Sequence, residues 1–275
     1  MNQNVRTCFL SFFLTFLLLF PCSMIITNLI VQNSEPNTSE QVNETMNYQP
    51  TKEEDLTILI TVTPGRPEPA DVFCLLRISP HDNSVSLSLL PNELTSTVGS
   101  KMGTLEELYD YGGIDGAREA VENLFFIEID RTVQFDNEGL SAVIDYLGGV
   151  PFTMPEALSF SEEDAPITIP AGRQLIDGAR FCTLLRSDYA LPLLVALAQE
   201  RLTPQLDLKA LISFLDEESV STLTAYDAAS HQAGWEQMIR MQNAALISPP
   251  IQTENYQGRE RITQECRTAY QEAYE

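Results

Sequence analysis

Apolar residues recur in two rhythms along this chain, and the switches between them predict its elements. Residues 56–62 (LTILITV) form an apolar run short enough for a central strand. Residues 72–78 keep a two-residue alternation, the stretch from Pro80 to Ser84 supplies turn chemistry, and residues 85–90 return, which predicts a hairpin. Residues 105–150 are the most informative stretch. There an aromatic turn from Tyr109 ends in the paired glycines Gly112 and Gly113, and Asp115 stands at an N-cap position. Ala117, Ala120, Val121 and Leu124 then follow at helical spacing until Phe125 and Phe126 close the helix. Ile127, Ile129, Val133 and Phe135 read as the inward face of one strand over 127–135. Leu140, Val143, Ile144 and Leu147 form the apolar stripe of a helix from Asn137, stopped by Gly148 and Gly149.

Residues 92–103 and 151–163 read as loops. A helix is expected from Asp177, with Ala179, Phe181, Cys182, Leu184 and Leu185 apolar. Further helical stretches are expected over 192–202, 206–215, 220–225, 234–242 and 259–274, and a strand over 244–247. Strand and helix patterns alternate without an internal repeat. The expected architecture is therefore a three-layer α/β domain over residues 56–275, a mixed sheet of five or more strands flanked by helices.

The amino-terminal pattern differs. No Lys, Arg, Asp or Glu occurs between Arg6 and Glu35, and residues 8–31 are almost wholly apolar, long enough at about 1.5 Å per residue to span a hydrocarbon core of about 30 Å. The expected organisation is a cytoplasmic tip and transmembrane anchor over 1–32 and an extracellular stalk over 33–55, rich in Asn, Ser, Thr, Glu and Gln. Arg6 before the span, with Glu35, Glu40 and Glu44 after it, places the amino terminus inside and the domain outside the cell membrane, in a single pass. A cleaved signal peptide and a lipoprotein cysteine at Cys22 are the alternatives; the run is long for the first, and Pro21 fits the second badly.

A formal net charge of −23 repels phosphate backbones and argues against a nucleic-acid partner. Outside the apolar span lie Cys74, Cys182 and Cys266, either as buried free thiols or as one bridge with a thiol left over. His81 falls in a hairpin turn and His231 in a polar helical stretch. No nucleophile elbow, phosphate-cradling glycine loop or zinc pattern surrounds them, so hydrolase chemistry has no support.

The segments YGGIDGAREAVENLF and FDNEGLSAVIDYLGGV resemble the LytR-CpsA-Psr (LCP) family. PADVFCLLRISPHDNSVSLSLLP is similar to that family's first hairpin, and IPAGRQLIDGARFCTLLRS to one of its helices, so the resemblance covers residues 56–188 in order. It implies an envelope protein whose relatives move a glycopolymer from a polyprenyl-pyrophosphate carrier onto peptidoglycan. In such proteins Mg2+ and clustered arginines balance the pyrophosphate, and the lipid tail lies in an apolar tunnel between sheet and helices. The physics is sound, because guanidinium groups and a divalent cation stabilise a leaving pyrophosphate.

Under that resemblance Asp71 matches the acid of an R-x-D motif and would be a Mg2+ ligand and catalytic residue. Pro69 stands at the motif's arginine. In the P-R-D motif Pro91 is kept, with Asn92 for the arginine and Glu93 for the aspartate, a second metal or pyrophosphate ligand. Arg186 matches the first arginine of R-S-R as a catalytic cation, but Asp188 stands where the second is expected. Arg66 and Arg173 are candidate substitute cations, and Leu124, Leu140 and Leu184 are expected to line the lipid cavity. Each retained residue also has a plain reading: Asp71 as a turn residue, Glu93 as a solvated loop acid, Arg186 as an ion-paired or helix-end arginine. Two functions remain. One is a membrane-bound protein that binds polyprenyl-linked glycopolymers with weakened or lost transferase activity; the other is an active phosphotransferase onto peptidoglycan.

Overall fold

A computed structural model describes residues 48–274 apart from 66–67, 161–166, 202–205, 242 and 257. The expected span at residues 8–31, most of the stalk and Arg66 lie outside the described residues. Among the described residues no helix is long and apolar enough to cross a membrane. A compact unit comprises Gln49–Glu275. Residues 49–55, read as the end of the stalk, therefore belong with the domain, and a 3-10 turn at Lys52–Glu54 leads into the first strand.

The centre is a six-stranded mixed sheet. Strands β1 (Leu56–Thr63), β2 (Val72–Ser79) and β3 (Ser84–Leu90) form an antiparallel meander. Hairpin β4 (Thr95–Val98) and β5 (Lys101–Thr104) follows, then helix α1 (Leu105–Phe125), β6 (Arg131–Asp136) and α2 (Asn137–Tyr146). Strands β7 (Val150–Met154) and β10 (Gly172–Ile176) pair with each other, as do β8 (Leu158–Phe160) and β9 (Ile167–Ile169). Then come α3 (Gly178–Leu184), α4 (Ala190–Arg201), α5 (Leu208–Glu218), β11 (Val220–Ser221), α6 (Ala225–Met241) and β12 (Ala245–Ile247). A hairpin of β13 (Thr253–Tyr256) and β14 (Arg259–Ile262) precedes α7 (Gln264–Tyr274). The sheet order is β11-β6-β1-β2-β3-β12, with β6 parallel to β1 and β12 parallel to β3.

Because side chains alternate across a strand, the sheet feeds two cores. Ile58, Val62, Val72, Ile78 and Val85 pack under α2, α3, α4 and α6. Leu59, Phe73, Leu75 and Leu90 pack under α1 and α7. The serines of β3 let α7 approach the second face: Ser86 donates to the Ala273 carbonyl at 2.9 Å, and the Tyr274 hydroxyl lies 2.8 Å from Ser88 Oγ. Burial pushes the Tyr274 hydroxyl pKa well above its ordinary value.

Several expectations need correction. The turn expected at 109–113 is helical as far as Gly112; α1 begins at Leu105, capped by Thr104, and breaks only at Gly113. Asp115 therefore sits within the helix rather than at its cap, paired with Arg118 at 3.7 Å. The strand expected over 127–135 begins at Arg131, and Ile127 and Ile129 pack in one core while Val133 and Phe135 pack in the other. Residues 92–103 and 151–163 are not loops throughout, since they contain β4–β5 and β7–β8. Val220–Ser221 is an edge strand on β6, α6 starts at Ala225 instead of residue 234, and 259–262 is strand rather than helix.

Candidate functional site

The site lies where β1 ends and β2 begins. Asp71 N donates to the Val62 carbonyl at 3.0 Å, which extends the β1–β2 pairing by one residue and fixes Asp71 at that end of the sheet. Arg186 comes from the turn that ends α3, a helix started by Asp177, whose side chain accepts from Arg180 N at 2.9 Å. The two residues, 115 apart in sequence, form a bidentate ion pair: Arg186 Nη2 donates to Asp71 Oδ1 at 2.8 Å, and Nε donates to Asp71 Oδ2. Arg186 Nη1 donates to the Cys182 carbonyl at 2.9 Å, so the same guanidinium also caps α3. The side chains are 27% and 28% exposed.

Behind this pair lies a cavity of about 250 Å3 lined by apolar side chains throughout. Val72 and Leu185, next in sequence to Asp71 and Arg186, line its near end. Ile58, Ile78 and Trp235 line it further along the sheet, as the pairing of Leu56 with Ile78 and of Val62 with Val72 requires. Leu140 is one of the lining residues. Leu184 is fully buried in the same core, but its neighbours Phe181 and Leu185 face the cavity in its place. Leu124 does not belong there, because α1 covers the opposite face of the sheet. Helices α4 and α5 contribute Leu194, Leu197, Leu211 and Leu215, which the sequence reading did not single out. A signal was present: α4 reads ALPLLVALAQER, apolar on nearly every side, although only Ala190 and Leu193 are buried.

The other candidates are not drawn into the pair. Pairing of Phe73 with Leu90 puts Pro91 to Glu93 at the same end of the sheet, but Glu93 is exposed and makes no ion pair among the described residues. Arg173 is exposed on β10, opposite Thr153, and likewise makes none there. Asp71 gives both oxygens to Arg186, so it is not a ready ligand for a resident magnesium ion. The donor cluster that could hold an ion among the described residues contains neither Asp71 nor Glu93. This donor set does not fit Mg2+ while the pair is formed.

Cys74, Cys182 and Cys266 are all buried and free, which decides between the two expected arrangements. Burial pushes the Cys74 thiol up to about 12 and the Cys182 thiol up to about 11, so both behave as inert parts of the core. Cys182 Sγ donates to the Asn137 carbonyl at 3.4 Å and ties α3 to the start of α2.

Known proteins resemble this chain in sequence over part of its length and in fold over most of it. Polyisoprenyl-teichoic acid–peptidoglycan teichoic acid transferase TagU of Bacillus anthracis is 25% identical over 130 residues, 46% of this chain and 43% of TagU. The transferase of the same description TagV, of Bacillus subtilis, is 29% identical over 98 residues, 34% of this chain and 25% of TagV. The chain thus spans less than half the length of these curated relatives. Among solved structures, B. subtilis TagV superposes with a TM-score of 0.63 at 17% identity, covering 81% of this chain and 98% of TagV. TagT bound to LIIa-WTA gives 0.62 at 13%, covering 84% and 93%, and a protein of Eubacterium siraeum gives 0.73 at 12%, covering 84% and 95%. At these identities the likeness is one of fold. A model of the LytR_cpsA_psr family matches residues 24–191, more than half of the sequence, and the chain belongs to that family.

Proposed function

We propose that this chain is a membrane-anchored, extracellular protein of cell envelope assembly that binds polyprenyl-phosphate-linked glycopolymers destined for peptidoglycan, with transferase activity weakened or lost. The observation that carries the reading is the wholly apolar cavity with the Asp71–Arg186 pair at its end. An isoprenoid tail in the cavity would leave its phosphate beside Arg186, where one guanidinium edge can exchange Asp71 for a phosphate oxygen. The apolar run at residues 8–31 supports the anchor.

Transfer demands more charge than binding does. Departure of the glycopolymer phosphate from its carrier concentrates negative charge on the leaving group, and each charge-assisted contact there contributes about 1.5–3 kcal/mol. Pro69, Asn92 and Asp188 stand where the family resemblance expects arginines, and Arg186 is already neutralised by Asp71. Loss of three such contacts is enough to slow transfer by several orders of magnitude. The second reading, an active phosphotransferase, draws its support from the names of TagU and TagV.

Trp235 is the single tryptophan and lines the cavity, so its fluorescence reports occupancy directly. Titration of the full chain with polyprenyl phosphate is expected to change that emission saturably. Arg186→Ala should weaken the phosphate about tenfold or more while leaving the free polyprenol unaffected. Emission that ignores both lipids would end the reading. Robust transfer of a polyprenyl-linked saccharide to peptidoglycan fragments, abolished by Asp71→Ala, would establish the enzyme in its place.

A further inference from the structure

The opposite end of the sheet carries a second cluster of charged and nitrogen donors. Asp55 ends the 3-10 turn, and the pairing of Leu56 with Ile78 sets it beside Ser79, where the β2–β3 turn begins. That turn is built locally: Asn83 N donates to the Pro80 carbonyl at 3.2 Å, and Asp82 N donates to Ser79 Oγ at 3.2 Å. His81 Nδ1 lies 3.1 Å from Asp82 Oδ1. One ligand atom each from Asp55, His81 and Asp82 lies within 4.8 Å of the other two.

Asp55 distinguishes this cluster from a solvated acidic turn. Its side chain is only 8% exposed, and its Oδ2 accepts from Arg77 Nη2 at 2.8 Å. Its Oδ1 is buried and meets no donor among the described residues. A buried carboxylate oxygen left without a partner costs about 1–3 kcal/mol, so a cation reaching it would recover that energy. His81 and Asp82 are 49% and 60% exposed; Asp82 meets His81 Nδ1 through Oδ1 and accepts from Ser79 Oγ through Oδ2, both at 3.1 Å, so an ion would take up contacts now made within the turn.

We propose that Asp55, His81 and Asp82 bind one zinc-type divalent ion, which fastens the segment leading into β1 to the β2–β3 turn. One imidazole and two carboxylates suit zinc and its first-row neighbours, whereas Ca2+ and Mg2+ prefer oxygen alone. Arg77 works in the same direction. Its charge cancels one of the two carboxylates, so a site relying on charge alone would be weak, and the imidazole bond becomes the source of affinity. The scaffold around the site is close packed. A Cβ at Gly234 would lie 2.5 Å from Glu54 Oε2 and 2.9 Å from Pro80 Cβ, so α6 holds the 3-10 turn and the hairpin together from behind. His231, the other histidine of the chain, is spent on the Glu54 carbonyl at 2.9 Å, so His81, whose Nδ1 meets Asp82 Oδ1, is the imidazole that can offer a ring nitrogen to an ion.

The test uses the full chain, purified without a polyhistidine tag and stripped of metal, titrated with Zn2+ by calorimetry and with Co2+ by visible absorption. One saturable equivalent is expected, with a rise in melting temperature. His81→Gln and Asp82→Asn should each weaken binding roughly tenfold or more, and Asp71→Asn, at the other end of the sheet, should leave it unchanged. Both test positions are exposed, so folding is not at stake. Absence of saturable binding, binding indifferent to both variants, or binding lost with Asp71→Asn would each overturn the proposal.

Discussion

Asp227 shows how strongly a single residue can depend on its partner here. Its side chain is 2% exposed and takes both Arg131 Nε, at 3.0 Å, and Arg131 Nη2, at 2.6 Å, while also accepting from Thr224. Burial works to raise its carboxyl pKa, but the bonds from Arg131 and Thr224 outweigh it, and the net direction is down from 3.8. A carboxylate with a lowered folded-state pKa contributes stability that is present above the unfolded value and lost as pH falls through the folded one. In Arg131→Ala the burial remains while the main compensation goes. The variant is expected to lose about 3 kcal/mol at pH 7, near the low end for a broken buried pair because the Arg131 side chain is 33% exposed. The gap from the parent should narrow toward pH 4, as the orphaned carboxyl takes a proton. Urea denaturation at the two pH values measures this, and a gap independent of pH would show that the pair is not what sets the acid limb. Neither this pair nor Asp71–Arg186 was legible as a pair in the sequence. The family motifs marked Asp71 and Arg186 singly, but their partners stand 115 residues apart, and only the sheet order brings such residues together.

At the scale of elements, local pattern was legible wherever one face of a strand or helix met one core. The hairpin of β2 and β3, the stripe of α2 and the glycine stop after it stand where their periodicity puts them. Pattern misled where the chain changed core, as between Ile129 and Val133, because odd-numbered apolar residues look like one strand face even when the sheet separates them. It also missed short edge pieces such as β4, β5 and β11, whose pairing partners, not their own composition, make them strands. The paired glycines of α1 are a sharper case. Gly112 is helical with open space at its Cβ position, whereas Gly113 adopts φ 63° and ψ −152°, a region essentially reserved for glycine. Gly112→Ala should therefore stabilise the fold by about 0.5–1 kcal/mol and Gly113→Ala destabilise it by about 1–3 kcal/mol. Equal effects of the two variants in chemical denaturation would mean that the break in α1 is not fixed at Gly113.

For the whole molecule the largest open question of energy is the cavity beneath α2 and α4–α6. The cavity of about 250 Å3 is partly open to its surroundings, so its cost is that of the apolar wall it leaves without packing partners rather than that of a sealed void. Larger side chains on α2 or α4 would close such a space, and an apolar guest would cover the same wall. The net charge of −23 discourages polyanions from settling on the protein surface. Val143, on α2, is buried and lines the cavity. Val143→Phe should place its ring in that space, raise the melting temperature of the lipid-free protein by a few degrees, and abolish the further rise produced by polyprenyl phosphate. Scanning calorimetry with and without the lipid separates the two effects. If the variant kept the full lipid-induced shift, the lipid would be binding somewhere other than this cavity, and the placement of its phosphate beside Arg186 would fall with it.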